Sequence, residues 1–186
     1  MRAFLYCIPF CIVVPTLTLS ETPPSLYELS AVSLEGEPAP LSSFRGKVSL
    51  VVNTASKCGY TPQYKELEAL YRKFGPERFV VLGFPSNDFL NQEPGTGAEI
   101  RAFCERNFGV TFPLFEKAKV TGTDKQPVYR FLTETAPVDF RGDPGWNFVK
   151  FLVGCDGAVV NRFSSMTKPL SDNLVDAIEA ALDRCS

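Results

Sequence analysis

The sequence contains no histidine. A chain without histidine cannot form a Ser-His-Asp triad, a Cys-His protease dyad, a histidine-ligated zinc site or a proximal haem ligand. None of the six cysteines forms a C-x-x-C pair, which excludes a zinc knuckle and a dithiol motif of the thioredoxin type. We expect no metal, haem or nucleotide cofactor, and any reactive group must come from the remaining side chains.

The chain also has no excess of basic residues over acidic ones. The formal net charge is -2, so the chain lacks the basic footprint that nucleic acids and anionic membrane surfaces attract. We therefore expect no nucleic-acid partner. A length of 186 residues, with 45% hydrophobic residues, is enough for a substantial core and fits one domain.

The N-terminus has the pattern of a targeting segment. Arg2 is followed by an uncharged apolar stretch over residues 3–19, and Thr18 and Ser20 fit the -3 and -1 positions of a cleavage site. We predict a signal peptide over residues 1–20, with an uncleaved signal anchor as the alternative, and a single domain over 21–186.

Cys7 and Cys11 fall inside this segment and are interpreted as small apolar residues without a chemical role. The segment predicts export through the secretory pathway, to a secreted, periplasmic or endomembrane location. An oxidising compartment is then the expected setting.

The apolar pattern predicts strands alternating with helices. After a small hairpin or extended segment at 26–44, strands are predicted at 47–54 and 79–84, with a helix between them that Thr61 caps and Gly75 ends. Thr96 and Glu99 form a capping box for a second helix, which carries Cys104. The remaining predicted elements are strands at 150–153 and 158–163 and a closing helix from Ser171. A parallel β-α-β unit followed by an antiparallel hairpin and a helix is typical of the α/β thioredoxin-like fold, with a mixed sheet flanked by helices.

Cys58 lies in the turn between the first buried strand and the first helix. Ligands of open α/β folds gather at that carboxyl edge of the sheet. A thiol near a helix N-terminus, with Lys57 beside it, has its thiolate favoured by amide donors and the helix dipole. The alternative is that Cys58 is an inert buried cysteine, but its place in the turn before a helix N-terminus argues against that interpretation.

Three sequence blocks carry a family resemblance. The runs N-T-A-S-K-C-G-Y-T at 53–61, F-P-S-N-D-F-L-N-Q-E-P-G at 84–95 and W-N-F-V-K-F-L-V at 146–153 resemble, in order and spacing, the signature blocks of the glutathione peroxidase family. The likeness extends from about residue 27 to residue 182. It implies a thiol peroxidase that reduces hydrogen peroxide and organic or lipid hydroperoxides in the response to oxidative stress.

Carried over to matching positions, the resemblance implies a catalytic tetrad. Cys58 corresponds to the peroxidatic cysteine, in place of the selenocysteine of some relatives, and Gln92, Trp146 and Asn147 complete the set. The amide and indole N–H groups are neutral donors that can stabilise a thiolate and then the leaving oxygen. Taken singly, Trp146 could instead be core, and Gln92 and Asn147 could cap turns.

Cys104, 46 residues after Cys58, matches the resolving cysteine of thioredoxin-dependent family members. A sulfenic acid must be resolved by a thiol or it risks over-oxidation. Periodicity places Cys104 on the buried helix face, so the helix would have to unwind locally for the two sulfurs to meet. A purely structural core cysteine is the alternative.

The chain also departs from the family pattern. Ser86 stands where many relatives have another cysteine, Leu90 replaces a usual glycine, and the approach to Trp146 over residues 137–145 is unusual. That loop lacks the long insertion of the tetrameric members, so a monomer is expected. A short rim also leaves the site open to bulky substrates such as lipid hydroperoxides.

The reductant is left open by the sequence. Thioredoxin or a thioredoxin-like protein is favoured, a protein disulfide isomerase would replace it in an exported setting, and glutathione is a third possibility without matching basic residues. A peroxide sensor that relays disulfides to client proteins and a non-catalytic thioredoxin-fold binding module are the competing functions. Cys155 and Cys185 match no family position, and we expect them to be free surface thiols, with a mutual disulfide as the alternative.

Overall fold

The structure is a computed structural model that describes residues 25–185. The predicted signal peptide or anchor at 1–20 lies outside the described residues. Among the described helices, none is long and apolar enough to cross a membrane.

The elements follow the predicted order, with one helical segment that the sequence reading missed, at 127–135. Strands are β1 (Ser30–Val32), β2 (Pro38–Pro40), β3 (Val48–Thr54), β4 (Phe79–Pro85), β5 (Lys150–Val153) and β6 (Val159–Phe163). Helices are α1 (Gln63–Phe74), α2 (Gly97–Phe108), α3 (Pro127–Arg130, continued by the π-helical turn Phe131–Thr135) and α4 (Asp172–Asp183), and short 3-10 turns cover Leu26–Glu28, Leu41–Phe44 and Val138–Phe140.

The main sheet has the strand order β4-β3-β5-β6. Strand β3 pairs in parallel with β4 and antiparallel with β5, and β5 pairs antiparallel with β6. Every residue of β3 and β4 is buried, as expected for strands covered on both faces. The predicted thioredoxin-like fold is confirmed, and β1 and β2 form the small separate hairpin.

Two apolar layers cover the sheet. Helices α1, α2 and α4 contribute one cluster, which also contains Cys58 and Cys104. The 3-10 turns near the N-terminus and the segment from Val120 to Ala136 form the cluster on the other face. Both faces of the central strands are thereby removed from water, which is the main favourable contribution to folding.

The sheet topology brings the predicted site residues to one edge. Cys58 follows the carboxyl end of β3, and Gln92 follows the carboxyl end of β4. Because β5 runs antiparallel to β3, its amino end lies at the same edge, and Trp146 and Asn147 lie a few residues before it. Three segments far apart in sequence therefore converge beside the Cys58 turn.

The expectation that Cys155 and Cys185 are free thiols is wrong. The two residues form a disulfide with a Cα–Cα distance of 5.9 Å, inside the range that a disulfide requires. Cys155 lies in the turn between β5 and β6, and Cys185 lies just after α4, which packs against β6. Thirty residues separate them in sequence, so their proximity depends on how the closing helix returns to the hairpin.

Candidate active site

The Cys58 turn is held by Thr61. The Cys58 backbone N–H donates to Thr61 Oγ1 at 3.0 Å, and the Thr61 hydroxyl donates to the Ala55 carbonyl at 2.8 Å. Helix α1 begins after Pro62, and no side chain caps its first turn. The prediction that Thr61 caps the helix is therefore wrong, because its hydroxyl is committed to the turn that presents the thiol.

Cys58 is nearly buried, with 8% of the residue exposed. The Tyr60 backbone N–H donates to Cys58 Sγ at 3.4 Å, so one amide donor faces the sulfur as predicted. No disulfide involves Cys58 in the described part of the chain. The thiol is thus available to react, in a turn whose backbone is fixed by hydrogen bonds.

Gln92 and Asn147 are joined directly. Asn147 Nδ2 donates to Gln92 Oε1 at 2.9 Å, and Asn147 is fully buried. The Gln92 carbonyl accepts from the Lys57 N–H at 2.9 Å, which ties the Gln92 loop to the Cys58 turn. Since its oxygen is occupied, Gln92 is held with its Nε2 donors free of partners among residues 25–185.

Trp146 lies half-buried with its ring against Phe89, at a centroid distance of 5.6 Å. Its indole N–H makes no hydrogen bond with any described residue. The Cys58 sulfur likewise makes no hydrogen bond with Gln92, Trp146 or Asn147. The structure therefore brings the Gln92 and Asn147 side chains together, and the N–H donors of Gln92 Nε2 and the Trp146 indole have no partner among the described residues.

Asn53 is a site residue that the sequence reading missed. Its Nδ2 donates to the Trp146 carbonyl at 2.9 Å and its Oδ1 accepts from the Val149 N–H at 3.1 Å. The Phe148 N–H also donates to the Asn53 carbonyl at 2.7 Å, which holds Phe148 at a φ of 65°. A polar residue inside a fully buried strand must be hydrogen-bonded, and that was the signal in the sequence.

The rim before Trp146 is fixed by Arg162. Its guanidinium donates to the carbonyls of Arg141, Gly142 and Asp143 at 2.7 to 2.9 Å. Asp143 in turn accepts from the buried Lys125 Nζ at 2.5 Å. The short 137–145 loop is thereby anchored at both its backbone and a side chain.

Lys150 anchors the loop at residues 164–167, on the side of Trp146 opposite the 137–145 loop. It is fully buried, and its Nζ donates to Gln63 Oε1 at 2.5 Å and to the Thr167 carbonyl at 2.6 Å. Both acceptors are neutral, and burial lowers the pKa of Lys150 to about 7. These bonds fix the 164–167 loop against the amino end of α1.

An open cavity of about 670 Å³ lies between these walls beside Trp146. Its lining includes the apolar side chains of Tyr60, Phe140, Trp146, Val149 and Met166. Met166 is 75% exposed, so the groove opens to solvent through an apolar lip. A cavity of this size can hold a drug-sized organic ligand.

Leu90 adds a further apolar side chain to the Gln92 loop. It is 75% exposed, and its φ of 52° places it in the left-handed region. Glycine adopts that conformation without a Cβ clash, so leucine at this position strains the backbone where glycine would not.

Cys104 lies on the inner face of α2, fully buried and without a disulfide. Burial raises the pKa of its thiol to about 11, so the thiol is protonated inside the closed helix. The capping box of α2 between Thr96 and Glu99 is present as predicted. Cys58 and Cys104 belong to the same apolar cluster, and Cys104 can become a nucleophile only after it leaves this environment.

A turn-borne thiol, unpartnered amide and indole donors at the same edge of the sheet and a thioredoxin-like fold together fit a thiol-based peroxidase. A sequence model described as glutathione peroxidase matches residues 26–133. The chain belongs to the glutathione peroxidase family.

Named relatives and a solved structure agree with this assignment. The chain is 51% identical over 164 residues to "Hydroperoxy fatty acid reductase gpx1" of Synechocystis sp., covering 85% of this chain and 96% of the relative. It is 50% identical over 158 residues to "Glutathione peroxidase-like peroxiredoxin HYR1" of Saccharomyces cerevisiae, covering 84% and 95%. The crystal structure of "Trgpx in apo form" superposes with a TM-score of 0.69 at 38% identity, covering 87% and 97% of the two chains.

Proposed function

We propose that this thiol peroxidase works through a two-cysteine cycle in which Cys104 resolves the sulfenic acid of Cys58. The observation that carries the proposal is the state of the cysteines among residues 25–185. Cys155 and Cys185 are bonded to each other, whereas Cys58 and Cys104 are unbridged and share one cluster. Because Ser86 offers no thiol, Cys104 is the one candidate resolver that the described chain supplies.

The chemistry balances without a cofactor. The Cys58 thiolate attacks the distal oxygen of the hydroperoxide, the O–O bond breaks, and the product leaves as an alkoxide or hydroxide that takes up a proton. The free donors of Gln92 and Trp146 stabilise the charge on the leaving oxygen. The Cys104 thiol then displaces hydroxide from the sulfenic acid, which forms a disulfide and water, and an external dithiol reduces that disulfide.

The reductant is proposed to be thioredoxin or a thioredoxin-like protein, with a protein disulfide isomerase in an oxidising compartment. The structural disulfide supports export to such a compartment, since disulfides persist there. The short, anchored 137–145 loop supports a monomer.

A reductant comparison tests the cycle. We expect sustained hydroperoxide turnover with thioredoxin or a disulfide isomerase, and at least about tenfold slower turnover with glutathione alone, because an intramolecular disulfide is best reduced by a dithiol. Intact-mass and peptide analysis after one equivalent of peroxide should find a Cys58–Cys104 disulfide. If only sulfenic Cys58 or a glutathione adduct is found, the two-cysteine cycle is wrong. Oxidation of client proteins without turnover by any reductant would identify a disulfide relay.

The preferred substrates are proposed to include lipid hydroperoxides. The apolar groove beside Trp146 supports this, as does the name of the Synechocystis relative. A fatty-acyl chain in the groove would bury apolar surface at roughly 25 cal/mol per Å².

A charge placed at the lip of the groove tests the substrate proposal. Met166→Glu should lower kcat/KM for a fatty-acid hydroperoxide by about tenfold, because the charge opposes burial of an acyl chain. Activity on hydrogen peroxide, which needs no groove, should fall by less than about twofold. Val32→Glu places the same charge at another exposed apolar residue and serves as the control. Equal losses for both substrates would argue against acyl binding in the groove.

A further inference from the structure

Unpaired polar groups are buried between the Cys58 turn and helix α2. Glu93 is fully buried, and neither of its carboxylate oxygens has a hydrogen-bond partner of good geometry among residues 25–185, although Ser56 lies beside it. The hydroxyls of Thr54, Ser56 and Tyr64 are also buried without a partner of good geometry. Each unpaired group costs free energy in the folded state, and native structures contain few of them. The four groups face one another in two loose pairs, Glu93 with Ser56 and Tyr64 with Thr54, and none of them is held by a well-formed hydrogen bond.

The cluster extends to the proposed resolving cysteine. A cavity of about 330 Å³ lies between the Glu93–Gly95 turn and α2, where Ile100 and Phe103 form its wall. The phenol of Tyr64 faces the Cys104 thiol, and the charge of Glu93 disfavours the thiolate there. The buried carboxylate thus packs under the helix that must open for resolution.

No cation in the described part of the chain donates a hydrogen bond to the carboxylate, although the nearby charges of Lys117 and Lys57 lower its pKa. Lys117 donates to the backbone carbonyl of Glu93 at 3.1 Å and not to its side chain, and Lys57 is exposed. On α2, Glu99 is held in its capping box and Arg101 pairs with Glu35. Burial raises the pKa of Glu93 from 4.5 to about 6, with Ser56 and Lys117 opposing the shift, so the group is charged at neutral pH.

We propose that Glu93 is a positioning residue whose unpaired buried charge favours local opening of α2, which releases Cys104 toward the Cys58 sulfenic acid. The carboxylate gains water when the helix unwinds, so opening relieves a cost that exists only in the closed form. This inference rests on the proposed two-cysteine cycle. Glu93 takes no part in bond making: sulfur–sulfur bond formation expels hydroxide from Cys58, which leaves as water with the Cys104 thiol proton.

The direction of the pH effect follows from the raised pKa. The closed form binds a proton more tightly than an opened form in which the carboxyl is solvated, so ionisation destabilises the closed form. The effect is absent well below pH 4.5, grows as the pH rises from 4.5 through 6, and is nearly complete at neutral pH. A difference of about 1.5 pKa units corresponds to roughly a 30-fold shift toward the open form at neutral pH.

Glu93→Gln tests the inference because it removes the charge and keeps the shape. At pH 7 we expect the Tm of the reduced protein to rise by a few degrees and amide exchange in α2 to slow. Formation of the Cys58–Cys104 disulfide from sulfenic Cys58 should slow by about 10- to 30-fold, while the rate of Cys58 oxidation stays within about threefold of wild type. Glu105→Gln, which removes a charge on the exposed face of the same helix, should change neither the Tm nor the resolution rate by more than about twofold.

The outcomes separate this inference from the cycle on which it rests. If the wild-type protein forms no Cys58–Cys104 disulfide, the cycle itself is wrong. If wild type forms it and Glu93→Gln forms it at the same rate, or has a lower Tm, the role of Glu93 is refuted. Should Glu93→Gln fail to fold, Glu93→Met removes the charge with an apolar side chain of similar size, and the same two expectations apply to it.

Discussion

Replacing Cys58 by serine is expected to reduce hydroperoxide turnover by more than about 1000-fold, the scale on which loss of a catalytic nucleophile acts. Serine keeps the size of the side chain and can accept the Tyr60 N–H that now faces the sulfur. Its hydroxyl does not ionise near neutral pH and cannot form a sulfenic acid. The loss of turnover in Cys58→Ser therefore reports the absence of the nucleophilic thiol and not a distortion of the turn.

The measurement is the initial rate of hydroperoxide consumption with thioredoxin as reductant. Circular dichroism and the Tm of Cys58→Ser should match those of wild type, because Thr61 still holds the turn. Residual activity above about one percent would show that another group is the nucleophile.

The second large effect is expected at Asn147. Its amide is the one donor to Gln92 Oε1 among the described residues, so Asn147→Ala releases the Gln92 side chain and leaves its oxygen unpaired. A preorganised donor facing developing negative charge contributes about 100- to 1000-fold to rate, and we expect a loss of that size in the oxidation of Cys58.

Stopped-flow oxidation of Cys58 by a hydroperoxide isolates this step from recycling. Asn147→Asp should be similarly slow, because a carboxylate cannot donate to Gln92 and adds a charge opposed to the leaving oxygen. Asn173→Ala, on the exposed surface of α4, is the matched control and should react at the wild-type rate. A loss below about threefold in Asn147→Ala would show that Gln92 is held by other means.

Much of the fold could be predicted because local patterns and global topology agree. The β-branched run at 48–54 is typical of a buried strand, and the Thr96–Glu99 capping box marks the start of α2 from four residues alone. The site residues were found through a family resemblance, and the sheet order then explains why they meet. Asn53 could also have been predicted, because a polar residue in a fully buried strand must form hydrogen bonds.

Other features depend on contacts between distant segments. The Thr61 hydroxyl could equally cap a helix or close a turn, and only the path of the chain around Cys58 decides between them. The pairing of Cys155 with Cys185 requires the hairpin turn and the end of α4 to meet, which no local pattern encodes. The unpaired state of Glu93 depends on side chains from three segments and was likewise invisible in sequence.

The Cys155–Cys185 disulfide restrains one part of the molecule covalently and leaves another part without such a restraint. It anchors the end of α4 to the hairpin whose first strand, β5, continues directly from Trp146 and Asn147. Within residues 25–185, no disulfide links helix α2, which carries Cys104, to the rest of the fold. In the proposed two-cysteine cycle, rearrangement can therefore be confined to α2 and its flanking loops, while Trp146 and Asn147 keep their places next to the anchored hairpin.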